Sequence, residues 1–126
     1  MAGKVENAKI AAVARDWLGF QRTELRRFAW AVDELHIWLA EEEDWSAIER
    51  FMRAVCAAAT IDEAQVVGMI GAGPLEDMID ARPERAIAFL ESEIEDNHVL
   101  ADALASVWCD KPDVAARIDE IRRRSR

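Results

Sequence analysis

The chain has 126 residues, 52% of them apolar, which is enough to bury the core of one domain. Its net charge of −9 argues against direct binding to nucleic acid or to an anionic membrane, because both repel an acidic protein. No apolar run approaches the roughly 20 residues of a membrane span, and residues 1–9 lack the apolar region of a secretory signal, so we expect a cytoplasmic protein.

Apolar residues recur at three- and four-residue steps along the start of the chain, which is typical of amphipathic helices. A first helix is predicted from about residue 6 to residue 20, ending near Gly19. A second is predicted from residue 23 to residue 39. Trp30 and Trp38 lie outside its main apolar stripe, so this helix should contact neighbours on more than one side. The stripe consists of Leu25, Phe28, Val32, Leu35 and Leu39.

Four successive acidic residues precede the third helix, which is predicted to run to about Ala58. Ser46 and Glu49 have the spacing of a capping box at its start. Carboxylates at a helix N-terminus are favoured by the helix dipole, and a cation or partner site is the alternative interpretation. The acidic residues are Glu41, Glu42, Glu43 and Asp44, and the predicted inward residues are Ile48, Phe51, Met52 and Val55.

A glycine- and proline-containing stretch, residues 71–74, lies at the centre of the chain. A helix that opens with a Thr60–Glu63 capping box should end there, because glycine permits positive φ and Pro74 donates no N–H. A short helix to about residue 80 should then begin at Pro74. Gly68 and Gly71, three residues apart, predict the close approach of a neighbouring helix. A phosphate-binding loop is disfavoured, because carboxylates occupy the would-be anion site.

The last third of the chain predicts three more helices. One starts at Pro83, one runs from about Val99 to Trp108, and one follows Pro112 with Asp110 as its cap. Residues 122–126 form a basic tail that we expect to be solvated. No segment alternates with period two, so the predicted fold class is all-α. We expect a single domain, 1–126, of seven or eight short helices, as an irregular bundle or a short stack like the helical repeat proteins.

Charge is distributed unevenly along the chain. Residues 28–110 carry 19 acidic and four basic side chains, a net charge of −15, whereas the two ends together carry a net charge of +6. Such an acidic body attracts basic protein surfaces and speeds encounter with them. One predicted helix has acidic residues at its C-terminal end, where they oppose the helix dipole, and a local rule broken in this way often marks a functional surface. These residues are Glu91, Glu93, Glu95 and Asp96.

A motif in the middle of the chain is similar to a known family. Gly73-Pro74-Leu75-Glu76-Asp77-Met78-Ile79, preceded by an aliphatic helix and followed by Leu104…Val107-Trp108, resembles a bacterial domain family of unknown function. The likeness covers roughly residues 45–108. It implies a small, soluble, helical bacterial domain and carries no chemistry with it.

The residues that could support catalysis do not form a recognisable set. Nothing marks Cys56 or Cys109 as activated, and we expect both to be buried and unpaired. Each histidine follows a carboxylate by three residues, Asp33-x-x-His36 and Glu95-x-x-His98, which resembles half of a di-iron site. No further glutamate stands in an apolar stripe to complete that site. We therefore predict no catalytic residue, no metal and no cofactor.

The leading functional hypothesis is a non-enzymatic acidic module that binds a basic partner protein, most simply an immunity or antitoxin-like inhibitor of a toxin. An alternative is a structural or regulatory domain that self-associates, as a homodimer for example, through exposed Trp30 or Trp38. A third is a carboxylate-bridged metal enzyme. The predicted partner-binding residues are Glu41, Glu42, Glu43, Asp44, Glu91, Glu93, Glu95 and Asp96.

Overall fold

The structure is a computed structural model, and it describes residues 5–41 and 44–125. Its contacts divide the chain into two compact units, residues 1–59 and 60–126, which we call the N-terminal and the C-terminal unit. The described residues contain no β-strand, so the predicted all-α class is confirmed. The prediction of a single domain over 1–126 stays a prediction.

The described residues of the N-terminal unit form three α-helices and one short turn of 3-10 helix. Trp17 and Phe51 meet edge to face in its core, with ring centroids 6.0 Å apart. The predicted inward stripe of the third helix is fully buried, which confirms that prediction. The elements are α1 (Asn7–Thr23), the 3-10 turn (Arg26–Phe28), α2 (Trp30–Ala40) and α3 (Trp45–Ala58).

The boundary between α1 and α2 differs from the prediction. α1 continues past Gly19 to Thr23 and ends where Glu24 adopts a left-handed conformation with φ of 58°. The Thr23 hydroxyl accepts the N–H of Leu25, so the chain turns here instead of starting a second helix. α2 therefore begins at Trp30, seven residues later than predicted.

The later start of α2 changes which of its residues are buried. Trp38, predicted to lie outside the buried stripe, is only 6% exposed, whereas Leu25 from that stripe is exposed. Trp30 is 40% exposed, and its indole N–H donates to the Asp16 carboxylate at 2.8 Å. The expected exposure of Trp38 is therefore wrong, and that of Trp30 is confirmed.

In the C-terminal unit, residues 60–125 form five α-helices, all shorter than α1. A turn of π-helix joins the first two of them, and a 3-10 turn follows the third. The elements are α4 (Ala64–Ile70), the π turn (Gly71–Leu75), α5 (Glu76–Ala81), α6 (Pro83–Glu93), the second 3-10 turn (Ile94–Asp96), α7 (His98–Leu104) and α8 (Pro112–Arg124).

The predicted helix break at residues 71–74 is wrong. The chain stays helical through the π turn, in which the Glu76 N–H donates to the carbonyl of Gly71, five residues earlier. Because the ladder widens at this point, Pro74 is accommodated inside continuous helical structure. No glycine of the described chain has positive φ.

Gly71 has a different role, which the sequence analysis also predicted. A Cβ atom on Gly71 would lie 1.9 Å from the carbonyl oxygen of Ala103, so only glycine lets α7 approach this closely. A Cβ on Gly68 would meet only the Ser106 hydroxyl, at an ordinary 3.6 Å. The close approach is therefore confirmed, and Gly71 is the residue that it requires.

Two predicted caps differ from the structure, and a third is found in part. Ser46 donates to Asp44 instead of forming a box with Glu49, and α8 is preceded by Lys111, not Asp110, at its cap position. The Glu63 carboxylate does accept the Thr60 N–H at 3.1 Å, although α4 itself starts at residue 64. None of the helices among the described residues combines the length and apolar character needed to cross a membrane.

Candidate functional site

The first predicted acidic cluster lies before α3, and its last member is already engaged within the N-terminal unit. The Asp44 carboxylate accepts the Val5 N–H at 2.9 Å, the Ser46 hydroxyl at 2.5 Å and the Arg50 guanidinium at 3.0 Å. Burial alone would raise the pKa of Asp44, but these hydrogen bonds and the charge of Arg50 outweigh it and lower the pKa below its ordinary value. Asp44 therefore holds the segment before α1 against α3.

The other members of this cluster are less constrained. Glu41 is exposed; its backbone N–H donates to the Ile37 carbonyl at 2.8 Å, but its carboxylate forms no hydrogen bond or ion pair with any residue that the structure describes. Glu42 and Glu43 lie outside the described residues. The first cluster thus contributes one carboxylate with a clear structural role and one that is open to solvent.

The second predicted cluster begins on α6, and its first member faces a cation of α8. Glu91 lies 3.6 Å from Arg124, and one face of α6 carries a similar pair between Glu84 and Arg117 at 2.7 Å. The arginines of α8 therefore balance part of the acidic face, although they are about 33 residues away along the chain. Glu93, half-buried, also has a partner within the structure.

The end of the second cluster is open. Glu95 and Asp96 stand on the 3-10 turn after α6; both are exposed, and neither carboxylate is hydrogen-bonded or ion-paired with a described residue. Asn97 then caps α7 by accepting the Leu100 N–H at 3.0 Å, which fixes the turn against the following helix. No lysine or arginine occurs between Arg85 and Lys111, so no cation from this stretch balances the two carboxylates.

The predicted basic tail is not simply solvated. Arg122 is half-buried, and its guanidinium donates to the carbonyl oxygens of Leu104 and Val107, both at 2.7 Å, and to Asp119 at 2.8 Å. Leu104 is the last residue of α7 and Val107 lies three residues beyond it, at the end of the helix where the dipole favours a cation. The expectation is therefore wrong for Arg122. Arg123 pairs with Glu120 on the surface, and Arg126 lies outside the described residues.

The loop between α7 and α8 was not predicted from the sequence, which indicated helix up to Trp108. α7 ends at Leu104 instead of reaching Trp108, and the loop exposes 71% of the Trp108 side chain. The Trp108 N–H donates to the Glu76 carboxylate at 2.7 Å. Glu76 and Trp108 both stand in the sequence pattern that resembles a family of unknown function. Their contact across 32 positions does not follow from helical spacing.

The histidines and cysteines do not assemble into a site. No group of three His, Cys, Asp or Glu side chains suited to a metal ion occurs in residues 5–41 and 44–125. Neither cysteine is in a disulfide; Cys56 is buried as predicted, whereas Cys109 is half-buried, which differs from the prediction. The third functional hypothesis therefore finds no ligand set within the described chain.

Comparison with known proteins gives one positive result. A family model described as a family of unknown function, DUF6869, matches residues 20–126. This confirms the resemblance to an uncharacterised family and extends it beyond residues 45–108. The comparisons with curated proteins and with solved structures gave no match.

Proposed function

The chain belongs to the family of unknown function DUF6869, and from that starting point we propose that it is a non-enzymatic module that binds a basic partner protein. Within this class we favour a cytoplasmic, bacterial immunity or antitoxin-like inhibitor. Such a protein needs complementary charge and fast association but no chemistry of its own. We also propose that Gly73-Pro74-Leu75-Glu76-Asp77 marks the family, because Glu76 holds the loop that presents Trp108.

One observation carries the proposal: the exposed carboxylates of Glu95 and Asp96 have no partner among the described residues. Their neighbours Glu84 and Glu91 are balanced by arginines of α8. A surface whose function is only solubility has no need of such an uncompensated pair next to compensated ones. An approaching cationic surface would experience the attraction of the unbalanced pair most strongly.

We rank the predicted partner-binding residues by their exposure and by their partners within the structure. We retain Glu95, Asp96 and Glu41 as the first candidates, because all three are exposed. Asp44 and Glu91 are second candidates, since each would have to exchange an internal partner for an external one. Glu93 has an internal partner too, and Glu42 and Glu43 keep their place as predictions only.

The proposal can be tested by capture followed by kinetics. The immobilised chain is exposed at low salt to cell extract, bound protein is eluted by raising the salt, and the eluted protein is identified and purified. Association rates are then measured for the wild type, for the Glu95→Lys/Asp96→Lys variant and for Asp62→Lys, an exposed acidic control in the same unit. We expect the double variant to associate about tenfold more slowly at low salt, and the control to differ much less.

The same experiment has a clear negative result. Equal association rates for the double variant and the wild type at low salt would remove these carboxylates from the partner site. The inhibitor class requires, in addition, that the purified partner loses its own activity when one equivalent of the chain is added. A partner that keeps full activity would leave a binding module that is not an inhibitor.

A second candidate function, self-association, is favoured by the exposed face of α2. Trp30 and Ile37 are seven residues apart, share one face of the helix and are 40% and 46% exposed. Trp38 no longer supports this alternative, because it is buried. Sedimentation at several protein and salt concentrations tests it: a dimer that resists salt and is lost in Ile37→Lys would establish self-association, and a monomer throughout would exclude it.

The third candidate, a carboxylate-bridged metal enzyme, is tested most directly by elemental analysis. The full chain, purified without a histidine tag, should contain less than one tenth of an equivalent of iron, manganese or zinc if the binding module is correct, on the order of what adventitious binding leaves. A stoichiometric metal would contradict the proposed function.

A further inference from the structure

Trp108 is the most exposed of the large apolar side chains that the structure describes, yet its backbone is held on two sides. Glu76 of α5 accepts the Trp108 N–H at 2.7 Å, and Arg122 of α8 donates to the preceding carbonyl, that of Val107, also at 2.7 Å. A tryptophan on a loop fixed in this way loses little conformational entropy when a partner covers it. Tryptophan is also among the residue types most enriched at the energetic centres of protein interfaces.

The charged groups around Trp108 indicate what kind of partner fits. Glu76 uses one carboxylate oxygen for the loop, Asp80 lies one turn further along the same face of α5, and Asp110 follows two residues after Trp108. Asp80 and Asp110 are both exposed. Of the cations on the adjoining segments, Arg122 is engaged with carbonyls and with Asp119, and Arg82 at the end of α5 also has a partner within the structure; Lys111 is exposed.

We propose that Trp108 is the central contact for a basic protein segment, in which an arginine stacks on the indole while its guanidinium faces the carboxylates of Glu76, Asp80 and Asp110. Arginine fits better than lysine, because its planar guanidinium stacks on aromatic rings, can bind a carboxylate through two N–H groups and is less strongly hydrated. This inference deepens the proposed function and rests on it, since it assigns the basic partner a surface and an anchoring residue.

The binding probe is a capped synthetic peptide of alternating leucine and arginine. Its control replaces each arginine with citrulline, which keeps the shape of the side chain and removes its charge. The ¹⁵N-labelled full chain gives indole N–H signals that are separate from the backbone signals, and the one absent in Trp108→Phe belongs to Trp108. Affinity is measured for the wild type, for Trp108→Ala and for Trp30→Ala, a matched control at the other exposed tryptophan.

We expect the arginine peptide to shift the Trp108 indole signal and Trp108→Ala to weaken binding about tenfold or more. The affinity of Trp30→Ala for the arginine peptide should equal that of the wild type. The wild type should bind the citrulline peptide no more tightly than Trp108→Ala binds the arginine peptide. Because the Trp108 side chain is largely exposed, Trp108→Ala should unfold at the same temperature as the wild type, which thermal melting confirms independently.

Several results would overturn the inference. A Trp108 signal that does not move, or equal affinity of Trp108→Ala and the wild type, would show that Trp108 is not part of the binding surface. Equal affinity for the citrulline and arginine peptides would show that the arginine charge is not recognised. Broadening of the Trp108 signal with protein concentration alone would assign the loop to contact with a second copy of the chain. If Glu95→Lys/Asp96→Lys abolishes peptide binding while Trp108→Ala does not, only this inference fails; if neither surface binds the peptide, it fails together with the proposed function.

Discussion

In each compact unit a half-buried arginine binds a segment outside the helices, Arg50 the residues before α1 and Arg122 the residues after α7, but the two arginines have different partners. Arg50 in the N-terminal unit binds the Asp44 carboxylate together with the carbonyl oxygen of Val5 and the side chain of Asn7. Arg122 in the C-terminal unit binds mainly the carbonyls of Leu104 and Val107. Arg50 thus faces a carboxylate that is only 14% exposed, whereas Arg122 faces backbone carbonyls and, at 2.8 Å, the carboxylate of Asp119, which is 56% exposed.

This difference has a consequence for how each unit responds to its surroundings. A guanidinium stays charged at any pH that a protein tolerates, and backbone carbonyls do not titrate. The hydrogen bonds of Arg50 therefore depend on pH through Asp44. The hydrogen bonds of Arg122 to backbone carbonyls depend instead on the position of α7. Four substitutions separate these two dependences.

The largest effect is expected from Gly71→Ala, which leaves Arg122 intact but displaces its acceptors. The new Cβ would lie 1.9 Å from the carbonyl oxygen of Ala103, so α7 must move away from the π turn. We expect a loss of about 3 kcal/mol or more in the free energy of unfolding, at the upper end for overpacked cores. Gly73→Ala is the matched control, because a Cβ there meets no atom within 4 Å. The free energy of unfolding of both variants is measured in urea. Equal values for Gly71→Ala and Gly73→Ala would show that α7 is not confined by Gly71.

Arg122→Met should have the next largest effect. It keeps the apolar stem and removes the hydrogen bonds from the guanidinium to the two carbonyls, of which that of Leu104 retains only a 3.2 Å bond from the Val107 N–H. We expect a loss of about 2 kcal/mol, measured by the same unfolding experiment. Arg123→Met is the control; its guanidinium is exposed and pairs only with Glu120, so its stability should match that of the wild type. A wild-type stability for Arg122→Met would mean that water replaces the guanidinium at no penalty.

Asp44→Asn should have a smaller effect at neutral pH, one that disappears in acid. We expect a loss of about 1 to 2 kcal/mol at pH 7, because the amide keeps the shape but weakens the bonds to Ser46 and Arg50. The pKa of Asp44 is lowered in the folded state, so the carboxylate stabilises the fold above its unfolded pKa of about 3.9, and this contribution is lost as the pH falls through the folded pKa.

Unfolding measured at pH 7, 5 and 3 therefore gives two different curves. The difference between Asp44→Asn and the wild type should shrink toward pH 3, while the difference between Arg122→Met and the wild type should change less. Asp62→Asn, exposed and without a bond to the described residues, serves as the control for a general charge effect. A pH-independent deficit for Asp44→Asn would contradict the role assigned to its carboxylate.

The smallest effect is expected from Arg117→Gln, which removes an ion pair that has neither a buried carboxylate nor backbone carbonyls. Arg117 and Glu84 are both exposed although they lie 2.7 Å apart, and solvent screens such pairs. Its stability should equal that of the wild type within error at physiological salt. A clear loss would show that the α6–α8 pairs contribute to the fold beyond balancing charge.

The sequence predicts the elements of this protein better than their junctions. The inward face of α3 follows directly from helical spacing, because burial of Ile48 and Phe51 is a local consequence of the pattern. The burial of Trp38 does not follow, since it depends on where Glu24 and Thr23 end α1. Leu35 of the predicted stripe is buried as well, so α2 has buried residues both on that stripe and beside it, at Trp38.

The site shows the same limit more strongly. The charge of Glu95 and Asp96 and the absence of nearby bases are visible in the sequence, so their exposure could be anticipated. The balancing of Glu91 by Arg124 and the anchoring of Trp108 by Glu76 join residues more than 30 positions apart. Such contacts depend on how helices pack, and a single sequence does not record them.

The π turn also makes the number of residues between α4 and α5 important, apart from their types. A π turn accommodates one residue more than an α-helical turn between the same hydrogen-bonded groups. The extra residue is thus absorbed within the turn, and Met78 keeps its buried position in α5. In a regular α-helix one added residue would instead rotate everything after it by about 100°, the angle of one residue at 3.6 residues per turn. Deleting exposed Ala72 would therefore allow regular helix from α4 into α5 with the phase of α5 kept, but Pro74 would then stand inside an α-helical ladder, where its ring clashes with the carbonyl four residues earlier. The wide turn lets the chain hold a proline at this position without turning α5 away from its contacts.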